Sequence, residues 1–141
     1  MKSSRLMISV AFALFVLLTP ALAQTGAVRV SVPFEFTMGK QTLPAGDYRV
    51  SINSAGLLNV ARIDGPGAVS VLTNRTGGGA NQDASPRLVF HRYGNHHFLA
   101  VAWIGEANMG HELYAAAAEL EYARIIKQDQ TIVLATRLPN K

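Results

Sequence analysis

Val28, Val30, Val32, Phe34 and Phe36 alternate with Arg29, Ser31, Pro33 and Glu35. A period of two puts the apolar side chains on one face of an extended strand. Pro33 lacks an N–H to donate, so this strand is expected at a sheet edge or with a bulge. Met38-Gly39-Lys40-Gln41 reads as a turn. Leu43-Pro44-Ala45-Gly46-Asp47 is a clearer one, because proline presets φ and Gly46 can take positive φ. Tyr48, Val50 and Ile52 then alternate with Arg49 and Ser51 as a second strand. Asn53-Ser54-Ala55-Gly56 turns the chain again. Leu58 to Ile63 and Ala68 to Thr73 follow as strands, separated by Asp64-Gly65-Pro66-Gly67.

Thr76 to Pro86 holds no large apolar residue and is expected to be a long loop. Arg87 to Tyr93 and His97 to Ile104 are two further strands around Gly94-Asn95, which suits a two-residue hairpin. The pattern then changes. Glu112 to Lys127 is rich in alanine, with Leu113, Ala116, Ala117, Leu120 and Ala123 at helical spacing. Glu112, Glu119 and Glu121 lie early and Arg124 and Lys127 late, as a helix dipole prefers. Ile132, Leu134, Thr136 and Leu138 alternate as a last strand. The expected fold is mainly β, a single-domain antiparallel β-sandwich or small barrel of about seven strands. One α-helix, at about 112–127, precedes the last strand.

The first residues have a different character. Lys2 and Arg5 precede Leu6 to Leu18, which carries no charge, and Pro20 and Ala21-Leu22-Ala23 follow. This is the arrangement of a secretory signal peptide, cut before Gln24. At about 1.5 Å rise per residue the apolar run spans roughly 20 Å, short of the roughly 30 Å hydrocarbon core. Residues 1–23 are therefore expected to be removed, leaving 24–141 as one β-rich domain with no integral membrane segment. Losing Lys2 and Arg5 takes two charges from the formal +4 of the whole chain. The remaining basic residues are scattered singly, which argues against nucleic acid as a partner. The chain has no cysteine. That excludes disulfides, thiol nucleophiles and cysteine metal sites, and leaves the apolar core to hold an exported domain together.

Three phrases carry a resemblance. Val32-Pro33-Phe34-Glu35-Phe36, Leu43-Pro44-Ala45-Gly46-Asp47-Tyr48-Arg49-Val50 and Leu88-Val89-Phe90-His91-Arg92-Tyr93-Gly94 resemble small exported proteins of Acidobacteria and relatives. The phrases have the forms VPFxF, LPAGxYxV and LxFHRYG. The resemblance implies a secreted or periplasmic β-rich protein and carries over no activity, substrate or site residue. Where that group tends to a polar, basic segment this chain has Tyr114 to Ala118, so its helix surface is expected to differ.

Candidate chemistry centres on histidine, a common metal ligand. A Gly94-Asn95 turn sets Tyr93 opposite His96, Arg92 opposite His97 and His91 opposite Phe98. His91, Tyr93 and His96 then share one face, and His97 takes the other beside Arg92. A three-histidine site on this hairpin is therefore geometrically poor. His91 and His96, on a diagonal, could form a two-ligand site, with Glu106, His111 or Glu112 as a conceivable third partner. His111-Glu112 starts like the H-E-x-x-H zinc motif, but Ala115 stands where its second histidine belongs. Glu112 and Glu119 would share a helical face, as surface glutamates do routinely. No serine has a nucleophile-elbow context. Gly77-Gly78-Gly79 lacks phosphate-loop spacing. Asn74-Arg75-Thr76 fits the glycosylation sequon. Phe90, Leu88, Leu99, Val101 and Trp103 fall on one face by simple alternation, and the opposite face is also apolar. The hairpin is thus expected to be central, with the helix covering one side.

These observations lead to an exported, non-catalytic binding or structural module of the cell envelope or exterior. Its partner there is unknown, and no catalytic, cofactor-binding or metal residue is assigned. A carbohydrate or small-ligand binder is the alternative, needing an exposed Tyr48, Tyr93 or Trp103 beside polar groups. Metal binding through His91 and His96 is a further one.

Overall fold

In β1 (Val28–Val32) the valines are buried, and Arg29 and Ser31 face solvent, as the alternation requires. The computed structural model describes residues 27–77, 85–104, 109–126 and 130–135. Nine more strands follow: β2 (Phe36–Met38), β3 (Gln41–Leu43), β4 (Gly46–Ile52), β5 (Leu57–Arg62), β6 (Ala68–Gly77), β7 (Arg87–Tyr93), β8 (His96–Trp103), β9 (Met109–Leu113) and β10 (Gln130–Ala135). The helix α1 (Ala117–Ile125) lies between β9 and β10. Residues 1–26, on which the signal-peptide reading falls, lie outside the described residues, as do 78–84 of the expected loop and Glu106.

The strands form one mixed sheet, not closed into a barrel, along the path β1-β4-β5-β6-β9-β8-β2-β3. β7 pairs the opposite edge of β8, and β10 pairs β7. All pairings are antiparallel except the short contact of β2 with β8, at Thr37 and Phe98. Pro33 is expected inside an edge strand; instead the strand stops just before it, and β1 lies at the end of the path. The sequence suggests about seven strands, but the described residues form ten. The first apolar stretch breaks after Val32 and resumes as β2, and β2 and β3 form a tight hairpin around Gly39-Lys40.

β6 gives the fold its shape. Residues 68–72 pair β5, and residues 73–77 pair β9. One strand thus serves two arms of sheet. At the crossing point, Gly56 accepts hydrogen bonds from the Thr73 N–H (2.9 Å) and hydroxyl (2.8 Å) through its carbonyl. Gly56 has φ of 81°, which L residues rarely adopt, and an added Cβ would lie 3.4 Å from the Thr73 carbonyl. Asn53 completes the turn by accepting from the N–H groups of Ala55 and Leu57, each at 3.0 Å.

The arms close on one apolar core. Val28, Val30, Tyr48, Val50, Leu58 and Val60 from the first meet Phe36, Leu88, Phe90, Leu99, Ala102 and Ile104 from the second. Phe36 bridges them, edge-on to both Tyr48 and Phe90. The Tyr48 ring is fully buried, and its hydroxyl donates to the Pro44 carbonyl. The proline turn before β4 is thereby fastened to the core.

Candidate functional site

The β7–β8 hairpin has the register read from its sequence: Tyr93 opposite His96, Arg92 opposite His97, His91 opposite Phe98. The alternation then breaks. A bulge lets Phe90 pair Leu99 while Val89 pairs Val101. Val101 and Trp103 therefore leave the face of Phe90, and Ala102 and Ile104 take their places in the core. This corrects the expectation that Leu88, Phe90, Leu99, Val101 and Trp103 share a face.

The helix expected at 112–127 is shorter. Met109 to Leu113 is strand β9, paired with β6, and Leu113 is buried there. Glu112 thus belongs to a strand and Glu119 to α1, so they do not share a helical face. α1 also turns an unexpected side inward. Glu119 is its one buried residue, 7% exposed, while Leu120 is 52% and Ile125 76% exposed. Alanine propensity builds the helix; its anchor is a carboxylate.

That carboxylate meets the outer face of the hairpin. Glu119 Oε1 lies 2.9 Å from His91 Nδ1 and accepts a hydrogen bond from the Tyr93 hydroxyl at 3.3 Å. Tyr122, one turn later, stacks on His96 at 4.2 Å between ring centroids and leans on Phe98. Burial, then the neighbouring Glu119 charge, push the Tyr93 phenol above its ordinary pKa. His91 and His96 do share a face, but one is turned to Glu119 and the other lies flat against a ring. Among the described residues no three His, Asp or Glu side chains converge as a metal site would need.

The other histidines are placed apart. His97 lies on the inner side, stacked on Phe34 at 4.0 Å. Burial, with the nearby positive charge of Arg92 and His96, lowers its pKa, although a backbone hydrogen bond with Glu35 opposes this. His111 is buried in β9 with Nδ1 3.4 Å from the Thr73 hydroxyl. Burial and then Arg75 lower its pKa. His97 thus points to the hairpin face opposite His91, and His111 belongs to a different strand.

Of the aromatics expected as possible platforms, Tyr48 and Tyr93 are buried. Trp103 is partly exposed, but the Arg87 guanidinium covers its ring at 4.5 Å. The ring also lies against Gly110, where an added Cβ would be 3.1 Å from two ring atoms. Among the described residues the most exposed aromatic is one the sequence did not single out as a platform, Tyr114, at 64%. Its hydroxyl donates to Asn74 Oδ1 at 2.9 Å. Leu72 and Leu57, cross-strand partners and both exposed, lie on the outer face of the first arm. A period-two reading could have found them, because each sits on the polar side of its strand.

Among the described residues no helix is long and apolar enough to cross a membrane. Comparison with protein-family models, curated proteins and solved structures gave no match.

Proposed function

We propose that this protein is an exported, non-catalytic binding or structural module of the cell envelope or exterior. Export rests on the basic, apolar and small-residue succession through Ala23. The observation that carries the rest is how the reactive side chains are used. Glu119, His91 and Tyr93 are engaged with one another in seating α1, and His96 is stacked on Tyr122. Meanwhile apolar side chains stand exposed on the outer face of the first arm, as binding surfaces have them. Metal binding through His91 would fall to its Nε2, since Nδ1 faces Glu119, and among the described residues no group of three His, Asp or Glu side chains supplies the remaining ligands.

The test is to express the full chain, fractionate the cells, and take the intact mass and bound metals of the product. The expected product begins at Gln24, lies outside the cytoplasm, carries no stoichiometric metal, and melts identically with and without chelator. An uncleaved cytoplasmic chain would sink the export reading. A stoichiometric metal with a chelator-sensitive melt would replace the module by a metalloprotein.

A further inference from the structure

The outer face of β1, β4, β5 and β6 has an uneven relief. Its floor is small and polar: Ser51, Asn59 and Ser70 stand in cross-strand register, with Asn59 Nδ2 donating to Ser70 Oγ at 2.8 Å. The neighbouring row continues with Ala61 and Ala68. Larger side chains bound this floor. At one end Arg29 and Arg49 are direct cross-strand partners on β1 and β4. At the other end stand Leu72 and Tyr114. By strand spacing and rise, Arg49 and Leu72 are roughly 17 Å apart along the diagonal.

Like charges directly opposite one another in a sheet repel, so the Arg29–Arg49 pair calls for an anion. Asp47 answers only part of it, 3.6 Å from Arg29 in an exposed ion pair. Arg49 is exposed, and no carboxylate pairs with it among the described residues. A guanidinium is shaped to hold a carboxylate through two parallel hydrogen bonds. The opposite end offers an exposed phenol ring and a leucine, and the floor offers two hydroxyls and one amide. A ligand matching all three presents carboxylates, hydroxyl groups and flat C–H faces. Those are the groups of an acidic sugar chain.

We propose that this face binds an acidic oligosaccharide built from uronate units, its carboxylates on Arg49 and Arg29 and a sugar ring against Tyr114. The proposal rests on the binding-module reading and names its ligand class. Glu112 is exposed and pairs with Asn74, near Tyr114. It fixes the polarity, because it disfavours a carboxylate at that end.

The test is calorimetric titration of the full exported chain with oligogalacturonate, a neutral oligosaccharide and polyglutamate. Oligogalacturonate is expected to bind, more weakly as salt rises. Arg49→Ala and Tyr114→Ala should each weaken binding about tenfold or more, and Glu112→Gln should strengthen it. Both weakened side chains are exposed, so their variants should melt like the parent. No binding by the parent overturns the proposal. So do equal binding of polyglutamate, which makes the face a patch for acidic peptides, and indifference to both substitutions. Shortening of the oligogalacturonate would instead overturn the non-catalytic reading while leaving the site in place.

Discussion

Phe90 and His91 are neighbours on β7, and they point into two different kinds of interior. Phe90 is fully buried, edge-on to Phe34 and Phe36. His91 faces the other way and meets a carboxylate brought over by α1. The inner interior is large and apolar, with contributions from both arms of sheet, and burial of apolar area stabilises it without regard to direction. The outer one is small, with a hydrogen-bonded carboxylate at its centre. Its contribution depends on geometry, because a buried carboxylate without partners would cost more than the helix gains. The inner interior thus determines whether the chain folds. The outer one determines where a single helix sits.

The strongest way to break this division is Phe90→Ala. Truncating a fully buried phenylalanine should cost about 3–5 kcal/mol, read as a lower urea midpoint for the whole domain. A loss below about 1 kcal/mol would show that the inner core is not continuous across the arms. Glu119→Ala comes next. It strands the His91 and Tyr93 groups and should cost about 1–3 kcal/mol. The loss should be local: amides in Ala117–Ile125 should exchange faster, while those of β4 and β5 keep their protection. Faster exchange throughout the sheet would merge the two interiors into one.

Acid sharpens the comparison from the inner side. His97 and His111 both have lowered pKa values in the fold, mainly through burial. The unfolded chain takes up those protons near the ordinary value of about 6.5. Stability from this source is therefore complete above about pH 6.5 and declines as pH falls towards the folded values. Urea midpoints from pH 8 to 5 should fall, and a rise on acidification would contradict the placement of both rings. The smallest effect belongs to Leu120→Ser on the exposed side of α1. It should change stability by no more than about 0.5 kcal/mol, and a thermal melt suffices to see whether Leu120 has a hidden partner.

Local signals were readable in the sequence, and distant ones were not. The Gly94-Asn95 turn and strict alternation fix the register from Tyr93 to Phe98, so the shared face of His91 and His96 could be read directly. The bulge beyond Phe90 leaves no such mark, because Leu99 to Trp103 is apolar on both sides. In the sequence, Glu112 and Leu113 read as the start of the helix because they stand beside an alanine run. What makes them a strand is pairing with Asn74 and Thr73, nearly forty residues earlier. Glu119 looked like an ordinary surface residue for the same reason. Its partners His91 and Tyr93 lie 28 and 26 residues away. The sequence pattern places Tyr114 within the expected helix, whereas its exposed ring stands just beyond β9, ahead of the helix.

The long strand β6 has one more consequence. Its first half is hydrogen-bonded into one arm and its second half into the other, with Gly56 and Thr73 as the joint. A chain divided near Leu72 would leave each fragment with an open strand edge and half a core. The two arms therefore cannot behave as separable folding units. They should melt in a single cooperative step, and neither should persist as an independent fragment unless the other is supplied in trans.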